Sequence, residues 1–289
     1  MKIGFIGLGN MGAPMATNLS NAGFDVCGYD LIKPSISSVK IVDDLFSAVE
    51  GSEIVITMLP HGASLLEVYR QIASLLRKNS ILIDCSTVDI KSALDAASIA
   101  KKNGLRSLDA PVSGGVVGAE AATLTFMVGG PKETFDEVFG IFDVMGQKAI
   151  LCGENGAGQT AKLCNNMILG ISMIGVCEAF SLADSLNLDR KKMFDVVSTS
   201  SGYCWSMNTY CPAPGVGPNS PSDNDYRPGF SAELMLKDLE LAQSAAQNKK
   251  VSTPLGAHAK NLFSEFVTSG GAKRDFSAIF NFIKEKDLK

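Results

Sequence analysis

The sequence is poor in histidine, in paired cysteines and in any excess of one charge. Its 289 residues include two histidines, His61 and His258, which excludes a metal or catalytic centre built on several histidines. The seven cysteines include no C-x-x-C pair, which argues against a disulfide framework and a zinc site and suits a reducing compartment. A formal net charge of −4 leaves no basic stripe, so we expect no nucleic-acid partner.

Long hydrophobic runs are also absent. The longest, Met167 to Cys177, is too short to span a bilayer, so we expect no membrane partner. No signal peptide fits before Lys2, where the first predicted strand begins. We expect a cytoplasmic protein if the source is bacterial, and a mitochondrial matrix protein without its presequence if it is eukaryotic. The composition, 46% hydrophobic and 19% charged, is globular and suits two medium domains or one large one.

A glycine-rich turn follows the first predicted strand, residues 2–6. Gly7, Gly9 and Gly12 form a G-x-G-x-x-G pattern that opens a helical repeat. In such a turn the first glycine permits the tight bend, and the second lets the backbone approach a pyrophosphate. The third brings the helix close to the strand, and the helix N-terminus attracts negative charge. The pattern predicts a dinucleotide site, with a turn that binds no ligand as the alternative.

Asp30 ends the second predicted strand, residues 24–29. A carboxylate there would bond the ribose hydroxyls and repel a 2′-phosphate. Asp30 therefore predicts NAD rather than NADP. The segment that follows, residues 31–44, is short and carries a proline, so we expect at most a stub of helix in it.

Strands and helices then alternate along the chain. Predicted strands at 54–59 and 81–85 alternate with helical patterns at 63–76 and 90–103, which indicates a doubly wound parallel sheet. Ligands of such sheets lie off the carboxyl ends of the strands. The segment Met58-Leu59-Pro60 and the pair Ser86-Thr87 occupy such ends.

A second glycine motif, Ser113-Gly114-Gly115, follows another short strand. Its hydroxyl and unobstructed backbone N–H groups suit a carboxylate, but a plain glycine turn fits equally well. A strand at 123–128, a helix at 131–145 and a last strand at 149–152 complete the predicted sheet.

A long helix begins near Gln159 and is apolar around most of its circumference, so we expect neighbours on more than one side. Near its start lie Lys162, Asn165 and Asn166, and Lys162 shares a face with Asn166 because the two are four residues apart. Two interpretations stay open. One is a solvated lysine at a fraying helix end, and the other is a reactive face in a cleft between two domains.

The rest of the chain shows no convincing strand. Its helical patterns lie at 189–199, 231–247, 254–268 and 276–286. An irregular insert at 200–228 contains Trp205, Tyr210 and Tyr226, which favour a packed loop over a disordered one. We predict an α/β protein in which an N-terminal doubly wound domain, residues 1–157, is joined by the long helix to an all-α C-terminal domain. That domain, residues 158–289, is expected to complete an active-site cleft.

Four segments together resemble the β-hydroxyacid dehydrogenase family. They are GFIGLGNMG, DAPVSGG, GAGQTAKLCNNM and the run that begins Lys237-Asp238. The resemblance runs nearly end to end, in the family's order and spacing. It implies a Rossmann domain and the NAD-dependent oxidation of a small hydroxy acid. The long apolar helix suggests a partner subunit, as in a homodimer or homotetramer.

Within that family, the insert resembles that of members which oxidise 3-hydroxyisobutyrate to methylmalonate semialdehyde in valine breakdown. Members that reduce tartronate semialdehyde, glyoxylate or succinic semialdehyde are the alternative, and relatives of that kind typically have a shorter segment here. A non-catalytic nucleotide-binding protein is a further alternative. Two departures from the family pattern are Tyr203, where an arginine is usual, and the shortened segment after Asp30.

The resemblance implies a role for each matching residue. The cofactor residues would be Gly7, Gly9, Asn10, Met11, Gly12, Asp30, Leu59, Pro60, Ser64, Thr87 and Lys237. The substrate residues would be Ser113, Gly114, Gly115 and Asn166. Lys162 would be the catalytic acid and base, and no metal is expected. A free lysine, with a pKa of ~10.4, is a poor base at neutral pH. Burial and the positive charge of Lys237 would lower the pKa of Lys162.

Overall fold

The computed structural model describes residues 1–287, with side chains through Glu285. It divides into two compact units that meet between Lys162 and Leu163, inside the long helix. The sequence places its domain boundary slightly earlier, between residues 157 and 158.

The N-terminal unit contains every strand of the described chain. The strands are β1 (Lys2–Ile6), β2 (Asp25–Tyr29), β3 (Lys40–Ile41), β4 (Ile54–Thr57), β5 (Ile81–Asp84), β6 (Arg106–Asp109), β7 (Val112–Ser113), β8 (Leu124–Gly129) and β9 (Gly146–Gly153). The helices that connect them are α1 (Gly12–Asn21), α2 (Leu45–Val49), α3 (Gly62–Ile72), α4 (Ile90–Lys102), α5 (Gly115–Glu120) and α6 (Lys132–Met145).

These strands form one sheet in the order β3-β2-β1-β4-β5-β6-β8-β7, with β9 also paired to β8. The pairs from β3 to β6 are parallel, as predicted. The strand order reverses direction at β1, so the carboxyl ends of β1 and β4 flank the switch point where ligands of such sheets bind. The α/β doubly wound fold is therefore confirmed.

The central strands are apolar on both faces because helices cover both sides of the sheet. One face buries Phe5, Ile56 and Phe126 with helices α1 and α6. The other buries Val55, Leu82 and Tyr69 with α3 and α4. The carboxyl ends of the strands are thereby held in fixed register, and these ends carry the predicted site.

The structure differs from the prediction in four places. Strand β8 runs antiparallel to β6, and β7 adds a short antiparallel partner that the sequence analysis did not separate. Helix α5 begins at Gly115, where only a turn was predicted. The segment at 31–44 contains no helix, in agreement with the expectation of a stub at most, but it includes the unpredicted two-residue strand β3, and the unpredicted helix α2 follows it. Two residues of strand and five of helix are too short to leave a periodic pattern.

The C-terminal unit of the described chain is helical. The long helix α7 (Ala157–Ser185) crosses into it, followed by α8 (Arg190–Val197), α9 (Trp205–Asn208), α10 (Ala232–Asn248), α11 (Pro254–Phe266) and α12 (Ile279–Asp287). The short 3-10 segments Pro221–Asn224 and Phe276–Ala278 and the π segment Val267–Gly271 complete it. The predicted all-α C-terminal part is confirmed.

Helix α7 is buried along one side and exposed along another. Met173, Cys177 and Phe180 are completely buried in the core of the C-terminal unit, whereas Ile168 and Leu182 are 63% and 60% exposed. Within the described chain, neighbours therefore cover α7 everywhere except along this exposed stripe. The helix is long and apolar enough to cross a membrane by composition alone, but half of its most apolar window is buried within the protein, as in a core helix.

The insert at 200–228 is packed, as predicted. Trp205 stacks on Tyr210 with 4.7 Å between ring centroids, and Tyr210 stacks in turn on Phe276 at 5.4 Å. Tyr226 is buried and its hydroxyl donates a hydrogen bond to the Pro212 carbonyl at 2.8 Å.

Candidate active site

The glycine turn lies at the carboxyl end of β1 and has the geometry of a phosphate-binding turn. Gly7 has a φ of +94°, a conformation that favours glycine, and its N–H donates to the Tyr29 carbonyl. A Cβ at Gly12 would lie 1.9 Å from the Gly7 oxygen, so only glycine brings α1 this close to β1. At Gly9 a Cβ would meet nothing within 4 Å, and Gly9 and Asn10 are exposed. The turn therefore leaves backbone accessible in front of α1, as a pyrophosphate requires.

Asp30 lies directly beside this turn at the end of β2. Its Oδ2 accepts a hydrogen bond from the Leu8 N–H at 2.6 Å, and its Oδ1 accepts one from the Ile32 N–H at 2.9 Å. These two bonds fix the orientation of a half-buried carboxylate next to the turn. The residue types and their arrangement fit the diphosphate and ribose of NAD.

The other predicted cofactor residues of the N-terminal unit follow β4 and β5. Leu59 and Pro60 come after β4, and Ser64 lies in the first turn of α3, where its N–H donates to the ring of His61. Thr87 follows β5 and is half-buried. The Leu59 N–H donates to the Ser86 hydroxyl at 2.8 Å, so these two loops are joined at the sheet edge.

Two buried polar residues that the sequence analysis assigned no role hold the start of α7. The Asp109 carboxylate, at the end of β6, accepts hydrogen bonds from the N–H groups of Gly156 and Gln159. Burial raises the pKa of Asp109, and these backbone donors oppose that effect. The Gln159 amide bonds the carbonyl of Ser86 and the N–H of Val88. A polar residue inside an apolar pattern was the available signal, since buried polar groups need partners.

Lys162 lies one turn further along α7 and is buried, with 7% of its surface exposed. Its Nζ donates a hydrogen bond to the carbonyl of Val112 in β7 at 2.8 Å. The interpretation of Lys162 as a solvated lysine at a fraying helix end is therefore wrong. The amine of Lys162 is instead buried and held in place by a backbone carbonyl of the N-terminal unit.

The Ser113-Gly114-Gly115 motif begins at the residue after Val112. Gly114 has a φ of +135° and Gly115 a φ of +63°, so both positions favour glycine. Ser113 ends β7 and is half-buried, and Gly114 is exposed just before α5. The N-terminal unit therefore places the proposed carboxylate loop directly after the carbonyl that anchors Lys162.

The C-terminal unit carries the remaining predicted residues. Asn166 is buried, and its Nδ2 donates to Asp238 Oδ2 at 2.5 Å, while its Oδ1 accepts from the Asn165 amide at 2.9 Å. Lys237 is partly exposed, with its Nζ 3.9 Å from Asp238 Oδ1. The buried Asn166 amide thus has a polar partner in Asp238, a residue to which no role was assigned from the sequence. Across the described residues, no cluster of three or more His, Cys, Asp or Glu side chains suits a metal ion.

Comparison with known proteins covers almost the whole chain. Residues 2–153 match the family described as the NAD binding domain of 6-phosphogluconate dehydrogenase. Residues 156–283 match the family described as NAD-binding of NADP-dependent 3-hydroxyisobutyrate dehydrogenase.

Individual relatives agree. The chain is 41% identical to the human mitochondrial 3-hydroxyisobutyrate dehydrogenase, over 99% of this chain and 87% of that protein. It is 42% identical to an NAD-dependent L-serine dehydrogenase of Pseudomonas aeruginosa, over 96% of each chain. Among solved structures, the Mycobacterium tuberculosis 3-hydroxyisobutyrate dehydrogenase with L-serine matches with a TM-score of 0.92 and 42% identity, over 98% of this chain and 99% of that one.

Proposed function

This chain belongs to the β-hydroxyacid dehydrogenase family as an NAD-dependent hydroxy-acid dehydrogenase, and on that basis we propose that it oxidises 3-hydroxyisobutyrate to methylmalonate semialdehyde. The observation that carries the proposal is the burial of Lys162 against the Val112 carbonyl, next to the Ser113-Gly114-Gly115 loop. Full-length relatives named for this reaction support the substrate.

In the proposed mechanism Lys162 exchanges the proton of the substrate hydroxyl. NAD, when bound, supplies the hydride acceptor. In the oxidative direction the neutral amine of Lys162 takes the hydroxyl proton at Nζ, and in the reverse direction its ammonium returns a proton to the carbonyl oxygen. Ser113, Gly114 and Gly115 bind the substrate carboxylate with a hydroxyl and backbone N–H groups.

The cofactor residues divide into three groups. Gly7, Gly9, Asn10, Met11 and Gly12 would hold the diphosphate, Asp30 would hold the adenosine ribose, and Leu59, Pro60, Ser64 and Thr87 would line the cofactor beyond it. The helical domain, residues 158–289, contributes Asn166, which orients the substrate, and Lys237, which we assign to the cofactor. The Asp238 carboxylate and the Asn165 amide fix the orientation of the Asn166 amide for this role.

The physiological setting proposed is valine catabolism, a branched-chain amino acid pathway, with a homodimer or homotetramer as the working form. The mitochondrial or cytoplasmic location then depends on the source of the chain. Mitochondrial relatives of similar identity support a reducing interior compartment.

L-serine is a second candidate substrate because one relative of equal identity is named an L-serine dehydrogenase. Both molecules present a carboxylate and a primary alcohol one carbon apart. They differ at the intervening carbon, where 3-hydroxyisobutyrate carries a methyl group and serine an ammonium group. An apolar wall favours the methyl group, and Phe230, which packs edge-on against Phe276, is our candidate for that wall. Trp205 is the other candidate, although its stacking on Tyr210 also fits a residue that only anchors the insert.

Steady-state kinetics with 3-hydroxyisobutyrate, 3-hydroxypropionate and L-serine, each at saturating NAD, tests the proposal. One methyl group in an apolar pocket is worth about 10- to 200-fold in kcat/KM. We therefore expect 3-hydroxyisobutyrate to exceed the other two alcohols by that factor. If L-serine gives the highest kcat/KM, the substrate proposal fails and the family assignment stands.

A further inference from the structure

A buried polar network joins the carboxyl ends of β4 and β5, where the proposed cofactor loops begin. Asp84, the last residue of β5, is 3% exposed, and Thr57, the last residue of β4, lies beside it with no exposed surface. The Thr57 hydroxyl donates to Asp84 Oδ1 at 2.8 Å. The Ser86 hydroxyl donates to the same oxygen at 2.6 Å, and the Ser86 N–H at 3.2 Å.

The donors and acceptors of this network have a fixed order, which ends at the backbone amide of Leu59. Because the Ser86 hydroxyl donates its only proton to Asp84, its oxygen is left as an acceptor. That oxygen accepts the Leu59 N–H at 2.8 Å. The Asp84 carboxyl thus orients the Ser86 hydroxyl, and that hydroxyl in turn holds the backbone of the Leu59-Pro60 loop to the Ser86-Thr87 loop.

The second oxygen of Asp84 carries the proton when this carboxyl is neutral. Oδ1 already accepts three hydrogen bonds, whereas Oδ2 is buried without a hydrogen-bond partner in the described structure. Burial raises the pKa of Asp84 to about 7 against the opposing effect of its donors. The titratable groups that face it are Tyr69 on α3, Cys85 directly after β5 and Asp109 on β6. The hydrogen bonds that Oδ1 accepts are available in both protonation states.

We propose that Asp84 and Ser86 are positioning residues for the cofactor, which hold the Leu59-Pro60 and Ser86-Thr87 loops at the spacing that NAD requires. This inference rests on the proposed cofactor role of those loops. The competing explanation is that the network only stabilises the sheet, as any satisfied buried network does.

The chain offers a matched control at the opposite ends of the same two strands. The Ser80 hydroxyl, just before β5, donates to the Ser52 carbonyl, just before β4, at 3.3 Å, and both serines are buried. Ser80→Ala and Ser86→Ala therefore each remove one buried hydroxyl that bridges β4 and β5. Only Ser86→Ala removes it at the carboxyl ends, beside the proposed cofactor loops.

The experiment measures the Kd for NAD by titration calorimetry without substrate, and then kcat and both KM values. Ser86→Ala should raise the Kd and KM for NAD about 3- to 10-fold, the range that one net hydrogen bond carries. At saturating NAD, its kcat and its KM for the hydroxy acid should stay within about twofold of wild type. Ser80→Ala should leave the NAD constants within the same limit.

Two variants of Asp84 complete the test and cover the case that Ser86→Ala folds poorly. Asp84→Asn keeps an acceptor oxygen in place of Oδ1 and should retain NAD affinity within about threefold, whereas Asp84→Ala should weaken it by tenfold or more. The proposal is overturned if Ser86→Ala binds NAD like wild type, if Ser80→Ala weakens binding equally, or if the two Asp84 variants weaken it equally. Wild-type protein that fails to bind NAD would instead overturn the proposed function.

Discussion

At the scale of single residues, Lys162 bears the largest share of the proposed chemistry. Replacing it with alanine removes the amine held at the Val112 carbonyl, and none of the other residues proposed to bind the substrate is a histidine. General acid–base catalysis is worth ~10²–10⁴-fold, so we expect Lys162→Ala to lose at least that much of kcat. The Kd for NAD should change little, as measured by titration.

The control for this variant is Lys148→Ala, which removes an exposed lysine from β9 of the same unit. It should retain wild-type kcat. A Lys162→Ala enzyme with more than about a tenth of the wild-type kcat would show that another group moves the proton.

Asp30 is expected to set the choice between NAD and NADP. A carboxylate at this position repels a 2′-phosphate, so the ratio of kcat/KM for NAD over NADP should be well above one. Asp30→Ala should bring this ratio towards one without abolishing turnover. Asp25→Ala, at the exposed start of the same strand, should leave the ratio unchanged. A wild-type ratio near one, or one that favours NADP, contradicts the assignment.

Asp84 gives stability a pH dependence whose sign follows from its raised pKa of about 7. The folded protein keeps a proton there that the unfolded chain, with a carboxyl pKa of 3.8, releases. The stabilisation from this proton is fully present below pH 3.8, the pKa of the unfolded carboxyl, and is lost as pH rises through about 7, the pKa in the folded protein. Each pH unit in this window should therefore cost the wild type about 1 kcal/mol of unfolding free energy relative to Asp84→Asn.

Urea denaturation of both proteins at several pH values between 5 and 8 measures this difference. The raised pKa of Asp275, which has no contact with Asp84, contributes to both proteins and cancels in the comparison. Stability curves that stay parallel across the window would show that Asp84 is ionised throughout.

At the scale of elements, two glycines in the turn between β1 and α1 are expected to have different roles. Gly12 matters for stability and Gly9 for NAD binding. Gly12→Ala puts a methyl group 1.9 Å from the Gly7 oxygen, and overpacking of this kind costs about 1–3 kcal/mol or more. Gly9→Ala meets no neighbouring atom and should change the melting temperature little. Its methyl group should still weaken NAD binding, because it occupies the space into which a pyrophosphate must come.

Calorimetry of both variants without cofactor, followed by NAD titration of Gly9→Ala, checks these expectations. The two glycines are controls for each other, since they lie three residues apart in one turn. A Gly9→Ala protein with unchanged NAD affinity would place the diphosphate elsewhere.

Most elements could be predicted from the sequence because their signals are local. Buried parallel strands, the glycine turn and amphipathic helices such as α10 leave patterns within a dozen residues. The antiparallel direction of β8 could not be read in this way, because pairing direction depends on which strand lies beside it in space. Helix α5 could not be predicted for another reason, because six residues that include two glycines give no helical period.

The site shows the same division. Gly7, Asp30 and Lys162 stand in motifs, and motifs are visible in one dimension. Asp109 and Asp238 also stand in such segments, but their partners lie far away in the sequence: Asp109 caps α7 from 47 residues away, and Asp238 bonds Asn166 across 72. Such partners are set by tertiary contacts, so the sequence could indicate only that a buried polar residue needs one.

At the scale of the whole molecule, the exposed apolar stripe of α7 is expected to mediate self-association. Ile168 and Leu182 lie on it, and Leu186 just beyond the helix is 69% exposed. Apolar side chains in a row along one helix indicate an interaction surface. A charge at Leu182 should therefore shift the protein to a smaller species in analytical ultracentrifugation.

Leu31→Glu is the matched control, because Leu31 is 89% exposed but lies in the N-terminal unit. It should sediment like wild type. If Leu182→Glu also sediments like wild type, the stripe on α7 is not the interface.

Lys162 is the last residue of the N-terminal unit, and every hydrogen bond described for the start of α7 comes from that unit. With Lys162 as the proposed acid and base, proton transfer would be inherited together with nucleotide binding. Sequence change after residue 162 can then alter which molecule is accepted while leaving the lysine and its anchor in place. A lineage could in this way acquire a new substrate through substitutions in its C-terminal unit, while the groups proposed to bind NAD and to transfer the proton stay the same.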